Sequence, residues 1–192
     1  MVEAMWNPLE LPADLPVPEQ DGAADHLPGR ALPDIALPGT RGGMVDVAPV
    51  GCPRAILYFY PRTGRPGVEL PDDWDLIPGA RGCTPQACSF RDHHQELLDL
   101  GAEVYGISSQ PTGYQAEAAD RLHLPFPLLS DAELRLKLLL DLPTFTVDGA
   151  ELYRRLTLVV RERAIEHVFY PVFPPDRHAG EVLAWLRERA AG

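Results

Sequence analysis

Lysine is almost absent from this chain: of its 17 basic residues only Lys137 is a lysine. Cationic work therefore falls to arginine, whose guanidinium stays charged and serves neither as a Schiff-base amine nor as a proton shuttle. Concentrated positive charge is missing too. Acids outnumber bases 28 to 17, the net charge is −11, and no basic run is longer than Arg154-Arg155. Nucleic acids and anionic membrane surfaces are accordingly not expected as partners. Long apolar runs are lacking: Leu138-Leu139-Leu140 and the segment Ala55–Tyr60 fall far short of the roughly 20 residues that a membrane span needs. The first residues carry acids and Pro8, Pro12, Pro16 and Pro18 where a secretory signal needs positive charge and an apolar core. The chain is predicted to be soluble and cytoplasmic. Cysteine is scarce, with three in all and no Cys-x-x-Cys. An odd count cannot form a closed disulfide framework, and in a reducing compartment a close pair points to redox or metal chemistry.

What is present suits one globular domain: 192 residues, 45% of them apolar, are enough to bury a sizeable core. Residues 1–28 are proline-rich and read as a loosely docked arm; residues 29–192 read as the domain. LPDIAL and MVDVAPVG, joined by a glycine-rich turn at Gly39–Gly43, predict a hairpin. Arg54–Tyr60 is continuously apolar and aromatic, as a strand covered on both faces should be. An irregular, proline- and glycine-containing stretch from Pro61 to Gly82 follows. Connections of that length inside a domain are uncommon and usually functional. A helix is predicted from Cys83 to the stop at Gly101, a strand at Ala102–Ser108, helices at Tyr114–Leu124 and Ala132–Leu140, strands at Leu156–Val160 and Ile165–Phe169, and a terminal amphipathic helix at His178–Ala190. This order describes an α/β fold, a mixed sheet with helices on both faces.

Cys83 sits where this first helix begins, and free N–H groups and the helix dipole there favour a thiolate. Cys88 is five residues on. Ideal helix geometry separates such positions by roughly 8.5 Å, beyond the ~7 Å reach of a disulfide. One reading is a redox pair in which a sulfenic acid on Cys83 waits for the first turn to open before Cys88 condenses with it. The other is two unrelated cysteines, one of them a small core residue. A metal site that adds His93 and His94 has a spacing unlike the close ligand pairs of zinc sites.

The segment Gly82-Cys83-Thr84-Pro85-Gln86-Ala87-Cys88-Ser89-Phe90-Arg91-Asp92 resembles the active-site helix of the peroxiredoxins, in particular the peroxiredoxin Q or bacterioferritin-comigratory-protein group. Tyr58-Phe59-Tyr60-Pro61, Gly106-Ile107-Ser108, Phe126–Asp131, Arg155–Val159 and Ile165–Phe169 match that group in order, and the resemblance runs from about Leu32 to Arg189. It implies a thioredoxin-like fold and thiol-dependent reduction of hydrogen peroxide and organic hydroperoxides without metal, haem or flavin. Cys83 would be the peroxidatic cysteine, Cys88 the resolving cysteine and Arg155 the active-site arginine, with Arg154 an exposed neighbour. A thioredoxin-like donor would return the disulfide to dithiol, in a monomer or homodimer.

The chain departs from the family where a proline seven and a threonine three positions before the peroxidatic cysteine are expected, since Leu76 and Ala80 stand there. Pro61 resembles the start of that motif, so about 15 residues, within 64–81, read as an insertion. Thr63 becomes the candidate peroxide-binding hydroxyl, with Arg62 and Arg65 as alternatives. Cys52 reads as a loop residue, Trp74 as an anchor or cover of the insertion, and Tyr170–Pro175 as an apolar wall or docking surface. Two other functions use the same cysteine pair: a thiol–disulfide oxidoreductase, disfavoured without Cys-x-x-Cys, and a redox-responsive binding protein.

Overall fold

The computed structural model describes residues 10–48, 51 and 53–190; Cys52 lies outside them. The apolar run after Pro53 becomes β3 (Arg54–Phe59), the central strand, and its residues divide between two cores. Leu57 and Phe59 join the cluster on one face, Ile56 and Tyr58 that on the other. On one side β3 pairs in parallel with β4 (Ala102–Ser108), which pairs in parallel with β5 (Leu128–Ser130). On the other side β8 (Leu156–Arg161) is antiparallel to β3 and to β9 (Ala164–Phe169). The sheet order is thus β5-β4-β3-β8-β9. The parallel β3–β4 step requires a crossover, and the segment containing Cys83 makes it.

The expected N-terminal hairpin is β1 (Ala36–Pro38) with β2 (Met44–Asp46), bridged to the sheet edge between Gly39 and Leu129. The helix expected to run to Gly101 is broken at His93 (φ −101°, ψ 7°) into α1 (Cys83–Asp92) and α2 (His94–Asp99), and the His93 imidazole meets the Glu96 carboxylate at 2.8 Å across the break. α3 (Thr112–Arg121) and α4 (Arg135–Leu140) lie near their expected places, and α5 (His178–Ala190) spans the predicted residues.

Between α4 and β8, where the sequence pattern predicts no element, the chain forms a second hairpin, β6 (Thr144–Val147) with β7 (Ala150–Tyr153). Its turn is Asp148-Gly149, both with positive φ, which is the Asp-Gly signature of a tight hairpin. This hairpin anchors the insertion, where Trp74, Ala80 and Leu152 form a small core joined by Leu70, Ile77, Phe145 and Val147.

The described part of the arm is held more firmly than its prolines suggest. Ala24 and Leu27 enter the main core, His26 Nε2 lies 2.9 Å from the Leu140 carbonyl, and the Glu10 carbonyl accepts from Arg81 at 3.4 Å. Ala24 and Leu27, between Pro18 and Pro28, find buried sites while Val17 stays exposed, and that burial offsets part of the cost of ordering an extended chain.

Candidate active site

The site lies where the insertion ends and α1 begins. Gly82 precedes Cys83 with φ 104°, a conformation natural to glycine. A Cβ there would overlap the Pro175 side chain and come within 2.9 Å of Leu11. Cys83, the first helical residue, is 4% exposed. The ladder of α1 starts with the Gln86 N–H, which reaches the Gly82 carbonyl at 3.0 Å. Pro85 has no N–H, so the Cys83 and Thr84 N–H groups remain outside the helical pattern at its positive end.

Arg155 comes from the junction of β7 and β8 and is 3% exposed. Its Nη2 donates to Cys83 Sγ at 3.2 Å and to the Ala80 and Arg81 carbonyls, each at 3.2 Å. Nε donates to the Gly79 carbonyl at 3.3 Å, and Nη1 to Gln86 Oε1. One guanidinium therefore bonds the sulfur, α1 and the last residues of the insertion. Arg154 points elsewhere and donates through Nε to the Thr144 carbonyl at 3.3 Å.

Cys83 opens into a narrow cleft of about 10 Å³, lined by Arg62, Gly64, Leu70, Trp74, Arg81 and Thr84. That is close to the space one water molecule needs. Trp74 thus lines the cleft as well as anchoring the insertion. Arg81, paired with Asp75 at 3.1 Å, fixes the insertion beside α1.

Thr63 is buried behind this cleft rather than lining it. Its N–H and its hydroxyl both donate to Gln110 Oε1, at 2.9 and 3.1 Å, and Gln110 Nε2 donates back to the Thr63 carbonyl. Pro61 is likewise buried in the turn after β3. The hydroxyl-bearing residue in the lining is Thr84.

Cys88 is half-buried on α1, and burial pushes its thiol pKa up. Both sulfurs are free thiols within one intact helix. Beneath α1 lie two polar groups that the sequence did not single out. Tyr58 stacks on Phe90 with centroids 4.6 Å apart, and its hydroxyl and Gln86 Nε2 are buried without a partner among the described residues. Burial raises the Tyr58 pKa well above its ordinary value, so it stays a neutral phenol. His93 and His94 take separate partners, Glu96 and the Phe126 ring.

A thiol held at a helix start by a buried guanidinium, in a cleft the size of one oxygen atom with its hydrogens, is arranged for attack by sulfur on a small polar atom. The Redoxin family model matches residues 27–183. The chain is 32% identical to Peroxiredoxin Bcp of Escherichia coli over 168 residues, 84% of this chain and 96% of that one. It is 29% identical to the chloroplastic Peroxiredoxin Q of Arabidopsis thaliana over 159 residues, covering 83% of this chain but 66% of the plant protein. It therefore spans just under two thirds of the length of that plant relative. Among solved structures it is similar to Peroxidoxin BcpB from Mycobacterium tuberculosis, with a TM-score of 0.69 and 28% identity over 84% of this chain and 97% of that one. A PrxQ mutant from Xylella fastidiosa gives a TM-score of 0.70 at 21% identity, over 86% and 98%.

Proposed function

The chain belongs to the Redoxin family, in its peroxiredoxin Q/Bcp group with a thioredoxin-like fold, and from that premise we propose that it is a thiol-dependent peroxidase working through Cys83 and Cys88. The observation that carries the reading is the 3.2 Å contact from Arg155 to Cys83 Sγ at the first residue of a helix. A guanidinium and a helix start place hydrogen-bond donors at the sulfur that acts as the nucleophile.

In the first step the Cys83 thiolate attacks the terminal oxygen of a hydroperoxide. The S–O bond forms as the O–O bond breaks, sulfur is oxidised by two electrons, and the other oxygen leaves as alkoxide or hydroxide to be protonated by solvent. Arg155 donors and the free N–H groups of Cys83 and Thr84 face the charge that moves along S–O–O. Pro61 and Thr63 support the turn that sets Arg62 and Gly64 in the cleft.

In the second step α1 unwinds, the Cys88 sulfur attacks the sulfenic sulfur, and water departs with the Cys88 proton. An external dithiol protein of the thioredoxin type then reduces the disulfide and is itself oxidised. Such a cycle suits a reducing compartment such as the cytoplasm. Among the described residues no helix is long and apolar enough to cross a membrane. Both sulfurs and Arg155 come from one chain, which suits a monomer or homodimer.

The test is mass spectrometry after one equivalent of hydrogen peroxide. Wild type should form an intramolecular disulfide, Cys88→Ser should accumulate a sulfenic acid on Cys83, and Cys83→Ser should consume no peroxide. Near-normal turnover in Cys83→Ser would refute the assignment.

A further inference from the structure

Arg62, in the turn after β3, is a partly buried residue whose guanidinium reaches solvent and makes no hydrogen bond or ion pair with any described residue. Its neighbours are occupied: Arg65 by Glu117 and the face of the Tyr114 ring, Arg121 by Glu117, and Arg81 by Asp75. A cation that lines a cavity without an ion-pair partner is free to take an anionic ligand.

Arg62 contributes to two spaces. One is the Cys83 cleft; the other is a cavity of about 380 Å³ bounded by Pro111 and Tyr114 at the start of α3, by Leu134, and by Ala150 and Leu152 of the β6–β7 hairpin. The one carboxylate lining that cavity, Glu151, is already held by Lys137 at 2.9 Å and by the Thr144 hydroxyl at 2.6 Å. The cleft alone, at about 10 Å³, takes little more than a peroxide oxygen, so the organic part of any larger hydroperoxide must lie beyond it. Beyond the insertion side of the cleft lies a cavity of about 320 Å³ lined by Asp72, Asp73 and Asp75 and by Arg81, whose charge is already matched by Asp75, so that negative charge prevails there and disfavours an anion. On the other side stands Arg62.

We propose that Arg62 is a specificity-determining residue that selects organic hydroperoxides bearing a carboxylate, with the peroxide at Cys83 and the carboxylated body in the Arg62 cavity. The proposal rests on the peroxidase reading and names its substrate class. Cys83 takes the terminal oxygen, the O–O bond breaks, and the alkoxide, protonated by solvent, leaves as the carboxylated alcohol, whose larger bulk the cavity accommodates.

Stopped-flow oxidation of the full reduced chain by cumene hydroperoxide, by its para-carboxylate and by hydrogen peroxide tests this in wild type, Arg62→Gln and Arg62→Lys. Wild type should react with the carboxylated peroxide on the order of tenfold faster than with the neutral one, the scale of one charge-assisted contact. Arg62→Gln should erase that ratio and Arg62→Lys should keep most of it. Because each ratio is taken within one variant, a general loss of folding or of cysteine reactivity does not imitate the effect. Equal wild-type rates with the two organic peroxides, or a preference that survives Arg62→Gln, overturns the proposal. A wild-type protein that reacts with hydrogen peroxide but shows no carboxylate preference overturns this inference alone, whereas one inert to all three peroxides overturns the peroxidase reading beneath it.

Discussion

Replacing Arg155 by methionine removes one hydrogen bond to Cys83 Sγ and four to its surroundings, made by three nitrogens to the carbonyls of Gly79, Ala80 and Arg81 and the side-chain oxygen of Gln86. The two losses act on different quantities. Loss of a preorganised donor at developing charge costs about 10²–10³ in rate, or about 2.7–4 kcal/mol. Each acceptor left dry and unpaired costs about 1–3 kcal/mol of stability. With water reaching some of them through the loosened insertion, the net loss of unfolding free energy should be about 3 kcal/mol. Arg155→Lys keeps the charge but carries three donors on a compact head in place of a planar fork. It should recover part of the rate, to about tenfold below wild type, and less of the stability. Stopped-flow oxidation by hydrogen peroxide reads the first quantity and urea denaturation of the reduced protein reads the second. Arg154→Met is the control, since the Arg154 side chain donates to the Thr144 carbonyl and lies beside Tyr170 and Asp21 rather than at the sulfur, and it should leave the rate within about twofold of wild type. If Arg154→Met and Arg155→Met slow oxidation equally, or if Arg155→Met loses stability while oxidising at the wild-type rate, the guanidinium does not act on the sulfur.

Oxidation should speed amide exchange across Thr84–Phe90 and in the insertion, tied to α1 by Arg155 and Arg81, while β3 and β8 stay protected; an oxidised Cys83–Cys88 bond within an intact α1 would refute the unwinding step. Gly82→Ala should destabilise the reduced form by about 2 kcal/mol or more, because the position has φ 104° and its Cβ space is filled by Pro175 and Leu11; an unchanged urea midpoint would show that the contact is easily relieved. His178 is fully buried between the Thr157 hydroxyl, 2.8 Å away, and the Phe90 and Phe169 rings, and burial lowers its pKa below 6.5, with the Glu181 carboxylate opposing. The unfolded chain then binds the proton more readily than the folded one, so this contribution to stability is complete above about pH 6.5 and is lost as the pH falls below it. His178→Gln should flatten that acid limb in denaturation curves from pH 5 to pH 8, and an unaltered limb would assign it to other groups.

Local chemistry was legible without a structure. The unbroken apolar run at 54–60, the thiol at the start of a helix, the β8–β9 turn and the amphipathic register of α5 are each set by a few adjacent residues, and periodicity and capping report such segments directly. The Asp148-Gly149 turn of the β6–β7 hairpin is an equally local signal. Other features depend on contacts that no short window contains. Arg155 stands 72 positions from Cys83 and reaches it because β8 lies beside β3 in the sheet. Thr63, next to the turn that resembles the family motif, is held by Gln110 in the loop after β4. The prolines of the arm describe its local stiffness but not the sites that hold Ala24 and Leu27. Arg62 and Arg65 stand as equal alternatives in the sequence, and only the packing of α3, the hairpin and the insertion gives Arg65 to Glu117 and leaves Arg62 without an ion-pair partner among the described residues, between the cleft and the larger cavity. Side-chain type and local propensity fix which groups are available, whereas sheet order and the closing of distant loops decide which of them meet, because those contacts are made only when the whole core assembles.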